Sequence, residues 1–517
     1  MLESLYSSDQ PRHERGDLQL LRTIEKFSMA ELATALKELS KGKCADKHGV
    51  LLEMLVNGGA LVQDVLLRIY NEILDTGIFP HDWNELIFVM VPKSGDPTDA
   101  NNWRPIAILD VVYKVFAKIL YNRLFPILDP QQSDEQFGFR TDCGTDEALM
   151  ILECITGAAL EWNLPLWALS VDLRKAFDKL EHNALLSSLS ELGLPSEYVA
   201  LLKCIYSEQI GTVNGVSFPI RRGVRQGDIL SPMLFNAATE VIMRRWKQRL
   251  RTHGFLLAAG DNGRRLTNVR FADDLVLFGK SFAEIEQMLQ ALIEEFARAG
   301  LVVNGSKTKL LTTAPIATSS QTPLLADVAG MFVEMVRGGC SHKYLGKALS
   351  GDLRVRGQRN LDHRLQCAWM RFHDLQQVLT NRKIPVHLRL QLFDSVVSPT
   401  VLYGLSTTPL TATQLDRLDA VQRKMLRRIV GWVRDGDEDW AVTGHRMKHR
   451  LEAALVQRPV PQWSYARSKQ GSSVVQQLVT DRAPTLACLV FRWYTQPVLT
   501  TCEAYRHSGR PRCRWTD

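Results

Sequence analysis

The chain has 517 residues, 45% hydrophobic and 23% charged, a folded-protein composition too long for one ordinary core, so several domains are expected. No apolar run approaches a membrane span, the N-terminus Met1-Leu2-Glu3-Ser4 lacks a basic-then-apolar leader, and nine cysteines contain no C-x-x-C pair; a membrane protein, a secreted disulfide scaffold and a zinc finger are set aside, and cytosol or nucleus is expected. The net charge of +7 is uneven, because from Arg371 onward 22 Lys plus Arg face 12 Asp plus Glu, leaving about −3 for the first 370 residues; this fits a polyanionic partner as well as an ordinary solvated face.

Ser28-Met29-Ala30-Glu31 has the pattern of a capping box, and Leu32, Ala35, Leu36 and Leu39 follow at helical spacing. A second helix is expected from Leu61 to Leu74, stopped by Gly77 and Pro80. The apolar run Leu86 to Val91 predicts a buried strand, and a turn-rich stretch from Lys93 to Pro105 comes next. Val111 to Leu124 reads as a helix and Leu166 to Leu173 as a strand. Asn214-Gly215 marks a hairpin turn, Pro232 starts a long helix to about Leu250, and Val269 to Phe278 predicts a second hairpin. Ser281 to Ala299 is a helix ended by Gly300. Beyond about residue 350 helices dominate, among them one with Leu415, Leu418, Val421, Met425, Leu426 and Ile429 on an apolar stripe and Arg423, Lys424, Arg427 and Arg428 elsewhere.

Within the second hairpin, V-R-F-A-D-D-L-V-L-F-G places Asp273 and Asp274 in an apolar segment. Burying ionised carboxylates is costly unless a cation, a hydrogen bond or a pKa shift compensates. A strand alternates its side chains, so one of the two is the firm ligand and the other auxiliary unless a turn intervenes. Asp172, at the end of A-L-S-V-D, is a second carboxylate at a strand end, 101 residues upstream. Such a set suits two cations about 3.5 to 4 Å apart, activating the attacking oxygen and stabilising the leaving oxygen of a phosphoryl transfer. Oxygen ligands without a His/Cys cluster favour magnesium over zinc.

D-L-R-K-A-F-D-K-L-E-H (Asp172 to His182), G-V-R-Q-G-D-I-L-S-P (Gly223 to Pro232) and F-A-D-D-L (Phe271 to Leu275) resemble, in order and spacing, the palm motifs of reverse transcriptases, those of non-LTR retrotransposons most. The likeness extends through Val91 to Leu109, Gln136 to Arg140, Gly300 to Lys309 and Tyr344 to Gly346, so it covers roughly residues 25 to 435. It implies an α+β right-hand polymerase with fingers, a ferredoxin-like palm on an antiparallel sheet and a helical thumb. The implied division is a helical N-terminal extension over 1–75, fingers and palm over 76–346, thumb over 347–440 and a basic tail of unread structure over 441–517.

The resemblance also implies roles. Asp172 and Asp273 would hold two magnesium ions, with manganese as a substitute and Asp274 beside them. Phe177 would lie against the incoming sugar and select deoxynucleotides, and Gln226 and Gly227 would approach the template base and the nascent pair. Lys93 and Arg104 would grip the triphosphate, and Lys307 is a candidate general acid for the pyrophosphate leaving group. Gln136, Gly138, Phe139 and Arg140 would touch the template, and the basic helix near Arg423 to Arg428 would follow the duplex. The implied reaction is extension of a DNA primer with deoxynucleoside triphosphates on an RNA template, with no membrane partner; the sequence leaves the oligomeric state open. Phe177 and Ala272 argue against an RNA-directed RNA polymerase. An inactive remnant or a maturase-like RNA-binding protein is the alternative.

Two segments depart from the family pattern: Lys41 to Val50 keeps only Gly49 and a displaced aspartate of the usual G-P-D-G turn, and T-D-C-G-T-D follows Arg140 where a basic, Ser/Thr-rich stretch is usual. About 25 residues ahead of the likeness are too few for an endonuclease, so a separate one is expected for target priming, and Arg506 to Trp515 reads as a basic terminal segment.

Overall fold

Helix ends read from the sequence form with their expected caps. In the helix Met29–Glu38 the Ser28 side chain accepts from the Glu31 N–H while the Glu31 carboxylate accepts from the Ser28 N–H. Gly77 closes the helix Gly59–Thr76 in the left-handed region, at φ 63°. Ser281 caps Phe282–Arg298 by accepting from Glu284. A computed structural model of the protein describes residues 2–93, 96–99, 102–161, 164–257, 264–313, 324–336, 341–350, 355–434, 436–480 and 486–495. The Arg506 to Trp515 segment lies outside them.

The described residues form a mixed α+β structure around two main sheets. A six-stranded sheet runs Leu324–Val328, Met331–Val336, Lys309–Thr312, Trp167–Val171, Asp274–Gly279, Asn268–Phe271. Its pairs are antiparallel except that Lys309–Thr312 lies parallel to Met331–Val336. Trp167–Val171 is central: Leu169 faces Leu310 on one side and Leu277 on the other, and Leu169, Leu277 and Leu310 are fully buried. Such burial accounts for the nearly continuous apolar run that the sequence shows there.

A four-stranded sheet runs Trp103–Ile108, Glu85–Pro92, Ile210–Val213, Val216–Pro219. Trp103–Ile108 falls where the sequence reads as a turn. It is an edge strand, where Pro105 removes no ladder donor that another strand needs, and it pairs Val91 with Arg104. The predicted hairpin turn forms with Asn214 at φ 48° and Gly215 at φ 81°. The helices Val111–Leu128 and Leu230–Gln248 bury long faces in the core these sheets share.

Past residue 355 the described residues are helical, and Leu361, Phe372, Leu390, Phe393, Leu418 and Met425 are among the buried side chains of a separate apolar cluster. Residues 440–495, unread in the sequence, contain the helices Trp440–Gln457, Trp463–Thr480 and Leu486–Thr495. Trp463 enters the same cluster, stacks on Phe393 at 5.9 Å between ring centroids and donates from its indole nitrogen to Ser398 Oγ at 2.9 Å. Truncation of this fully buried ring, Trp463→Ala, is expected to cost about 3 to 5 kcal/mol. Hydrogen-exchange protection across residues 361–430 reads the loss, and unchanged protection would detach the later helices from that core.

Candidate active site

The sheet brings the three aspartates together. Asn268–Phe271 and Asp274–Gly279 are joined by a two-residue turn of Ala272 and Asp273, with Phe271 opposite Asp274. Ala272 holds φ 57° while Asp273 stays at negative φ, the sign pattern of a type II′ turn. The turn answers the problem of strand alternation, because Asp273 sits on the turn and Asp274 opens the returning strand. Asp172 follows the neighbouring central strand directly. All three face one cavity of about 1010 Å³.

Asp172 is held from Gly300–Lys309. The Asn304 side-chain amide donates to Asp172 Oδ2 at 2.9 Å, the Asn304 backbone N–H donates to the Asp172 carbonyl at 2.8 Å, and the Asp172 N–H reaches Thr308 Oγ1 at 3.3 Å. Sequence reasoning assigned no role to Asn304 or Thr308, although both lie inside a motif it singled out. Burial raises Asp273 above the ordinary aspartate range and the Asp172 charge adds to this, while Arg104 and Lys93 oppose it. Burial, then the charges of Asp273 and Asp172, push Asp274 up to about 6.

Cations line the same cavity. Lys93 follows the strand Glu85–Pro92 and Arg104 lies on its edge partner, both exposed to the same cavity, as is Lys307. Burial and the charges of Arg104, Lys307 and Lys175 hold Lys93 below its usual value, which places those three cations within range of Lys93. Phe177 lines the cavity with its ring stacked on Phe235, centroids 4.4 Å apart and planes within 13°. Gly227 lies at φ 107°, and a Cβ there would stand 2.9 Å from the Ala107 carbonyl oxygen, so only glycine fits this approach.

The family model described as Reverse transcriptase (RNA-dependent DNA polymerase) matches residues 91–349. The chain belongs to the reverse transcriptase family. It is 25% identical over 433 residues to the RNA-directed DNA polymerase from mobile element jockey of Drosophila melanogaster, covering 79% of this chain and 45% of that one. It is 26% identical over 363 residues to the Retrovirus-related Pol polyprotein from type-1 retrotransposable element R2 of Popillia japonica, covering 68% and 48%. Its relatives are thus those of non-LTR retrotransposons, as the motifs imply, and the chain spans about half the length of these curated relatives. A solved structure, telomerase from Candida albicans with a fragment of telomeric RNA, overlays at TM-score 0.35 and 13% identity over 78% of this chain and 66% of that one, too distant to bear on any residue.

Of the four residues expected at the template, only Phe139 projects, 52% exposed with φ 58°. Gln136 is fully buried, its side chain turned inward to the hairpin. Its Oε1 accepts the backbone N–H groups of Gly138 and of Ala272, each at 2.9 Å. It therefore braces the turn that carries Asp273. Gly138 is buried against the same turn, where an added Cβ would meet the Ala272 nitrogen at 2.5 Å, and its carbonyl accepts from Asn236 at 2.8 Å. Arg140 points back to an ion pair with Asp129 at 3.1 Å. Beneath the hairpin, Arg270 and Glu240 form a buried ion pair at 2.8 Å.

The site suits a hard divalent cation by its donor chemistry: three carboxylates face one cavity, and two of them are held above their ordinary range by burial and then by neighbouring carboxylate charge. Among the described residues no three His, Cys, Asp or Glu side chains already close around a metal-sized point, so the carboxylates form an open acidic patch. No helix among these residues is long and apolar enough to cross a membrane.

Gln136→Leu leaves two N–H groups without their acceptor, so it is expected to destabilise the protein by about 2 kcal/mol or more and to lower the melting temperature. A loss of RNA affinity at an unchanged melting temperature would instead restore the template contact.

Proposed function

We propose that the chain is an RNA-directed DNA polymerase of non-LTR retrotransposon origin, extending a primer 3′-hydroxyl with deoxynucleoside triphosphates on an RNA template. The observation that carries this reading is the convergence of Asp172, Asp273 and Asp274 on one cavity that Lys93, Arg104 and Lys307 also line. The two main sheets then read as fingers and ferredoxin-like palm of a right hand over residues 76–346, the N-terminal helices over 1–75 as an extension, and the helices that follow 347 as a thumb. On that helical unit Lys424 and Arg428 lie over the Trp369 ring at 5.8 and 5.0 Å, which stiffens a basic surface suited to a nucleic-acid backbone.

Asp172 and Asp273, with Asp274 beside them, would hold two magnesium ions, which when bound activate the attacking oxygen and stabilise the leaving one. Asn304 keeps the Asp172 carboxylate aimed at the cavity, and the turn braced by Gln136 does the same for Asp273. Lys93 and Arg104 bind the triphosphate, and Arg104 offers a two-pronged donor. Lys307 holds a proton at Nζ within the same cavity, available to the departing pyrophosphate. Phe177 lies flat on Phe235, which holds its ring as a wall where a 2′-hydroxyl would lie. The partners are an RNA template and a DNA primer.

Purified protein with magnesium is expected to extend a DNA primer on an RNA template, and Asp273→Asn to slow this by roughly a thousandfold, the several kcal/mol of lost charge stabilisation, without weakening RNA binding. Equal extension by both proteins would sink the carboxylate assignment, and extension by neither would favour an RNA-binding remnant. Phe177→Val is expected to admit ribonucleotides; unchanged sugar discrimination removes the ring from that role.

A further inference from the structure

Asp178 is a buried carboxylate that the roles above leave unused. It is 1% exposed and follows Phe177 on the wall of the same cavity. Its Oδ1 accepts the Tyr6 hydroxyl at 2.7 Å, and the Gln226 Nε2 sits 2.8 Å from both of its oxygens. Backbone bonds fix the frame around this contact. Val224 donates to the Phe177 carbonyl and Gly223 to the Leu180 carbonyl, each at 2.7 Å, and the Gln226 carbonyl accepts from Ala107 at 2.9 Å. Tyr6 packs against Phe88 and Phe218, with centroids 5.4 and 6.0 Å away.

An ionised carboxylate only accepts hydrogen bonds, so it dictates which end of a carboxamide faces it. With Nε2 turned to Asp178, Oε1 is the end of Gln226 left for the cavity, and it makes no hydrogen bond among the described residues. We propose that Asp178, braced by Tyr6, is a positioning residue that locks the Gln226 carboxamide with its oxygen outward, as an acceptor for a hydroxyl or amino hydrogen of the incoming nucleotide. The inference rests on the polymerase reading. If Asp178 is replaced by asparagine, its amide nitrogen can face Gln226 Oε1, the carboxamide turns over, and a donor meets the nucleotide's donor.

The charge on Asp178 is therefore part of the device. Burial raises its pKa to about 6, opposed by the hydrogen bonds from Tyr6 and Gln226 and by the charges of Lys175 and Lys93. Two cations close to Gln226 in the chain are engaged elsewhere: Arg222 pairs with Glu181 at 3.5 Å and Arg225 lies over the Tyr113 ring at 4.9 Å. As pH falls through about 6 the carboxylate is protonated, can itself donate, and no longer dictates the orientation of Gln226.

The test is steady-state incorporation by the full chain with magnesium, primer and RNA template, across pH 5.5 to 8, at roughly half-unit steps about that pKa. In the wild type, KM for the deoxynucleotide is expected to rise as pH drops through about 6. Asp178→Asn should raise KM about tenfold at neutral pH, the worth of one hydrogen bond, with kcat changed far less and the acid rise in KM gone. Asp274 is also pushed up to about 6, so it is the loss of the acid rise in Asp178→Asn, and not the rise itself, that assigns it to Asp178. Tyr6→Phe, which keeps the ring stacking, should move the KM inflection to higher pH, because a bond that favours the carboxylate is lost. Gln226→Met should raise KM similarly, and adding Asp178→Asn to it should change nothing more. A shift common to all four nucleotides identifies a sugar hydroxyl as the donor, whereas one sparing only dTTP identifies a base amino group. An unchanged KM in Asp178→Asn that melts like the wild type, or additive effects of the two substitutions, overturns the proposal while leaving the polymerase reading intact. A wild type that incorporates nothing at any pH overturns that reading, and the proposal with it.

Discussion

Repulsion among three carboxylates is the constraint around which the rest of the site is arranged. Asp273 and Asp274 are raised above their ordinary range by burial and by neighbouring charge. For such groups the folded protein binds protons more tightly than the unfolded chain does, so their favourable contribution exists at low pH and is lost as pH rises, for Asp274 through about 6. At neutral pH the cluster works against folding, and the surrounding scaffold has to hold it in place. Asn304 and Thr308 fix Asp172, Gln136 fixes the turn, and the buried Arg270–Glu240 pair sits under the hairpin. Sites that oppose stability in this way are familiar where charge is needed for chemistry.

Opposite charge comes from a different sheet. Lys93 and Arg104 belong to the four-stranded sheet, whereas the aspartates belong to the six-stranded one. The cavity is the space between the two, and the bond from Ala107 to the Gln226 carbonyl ties the loop Gly223–Gly227 to the cationic side. The anionic and cationic walls thus come from separate layers, and the charges of Arg104 and Lys93 reach Asp273 across the space between them.

Much of this was legible in the sequence where a local signal and a fold-level need coincide. The capping box at Ser28, the Asn214-Gly215 turn and the apolar run around Leu169 each state their structure in a few residues. The edge strand Trp103–Ile108 was hidden because Pro105 and the preceding turn residues suppress the strand signal, and only an edge position tolerates them. Asp172, Asp273, Asp274, Lys93, Arg104 and Lys307 were found through their motifs, but the residues that support them were not. Gln136 looked like a surface contact, and its burial follows from a bond to Ala272, 136 positions away, that no local pattern announces. Asn304, Asn236 and Glu240 were missed for the same reason, since each acts on a residue distant in the chain.

The central position of Trp167–Val171 has a consequence for biosynthesis. Both of its neighbours, Asp274–Gly279 and Lys309–Thr312, come later in the chain. As the chain leaves the ribosome, at about 5 to 20 residues per second, this apolar strand waits on the order of ten seconds with both edges open. Asp172 at its end is equally without Asn304 during that interval. The helices already made, Val111–Leu128 and Thr145–Glu161 among them, are the native elements at hand to shelter it. The carboxylate cluster is thus assembled late, after most of the hydrophobic mass that must bear its repulsion is in place.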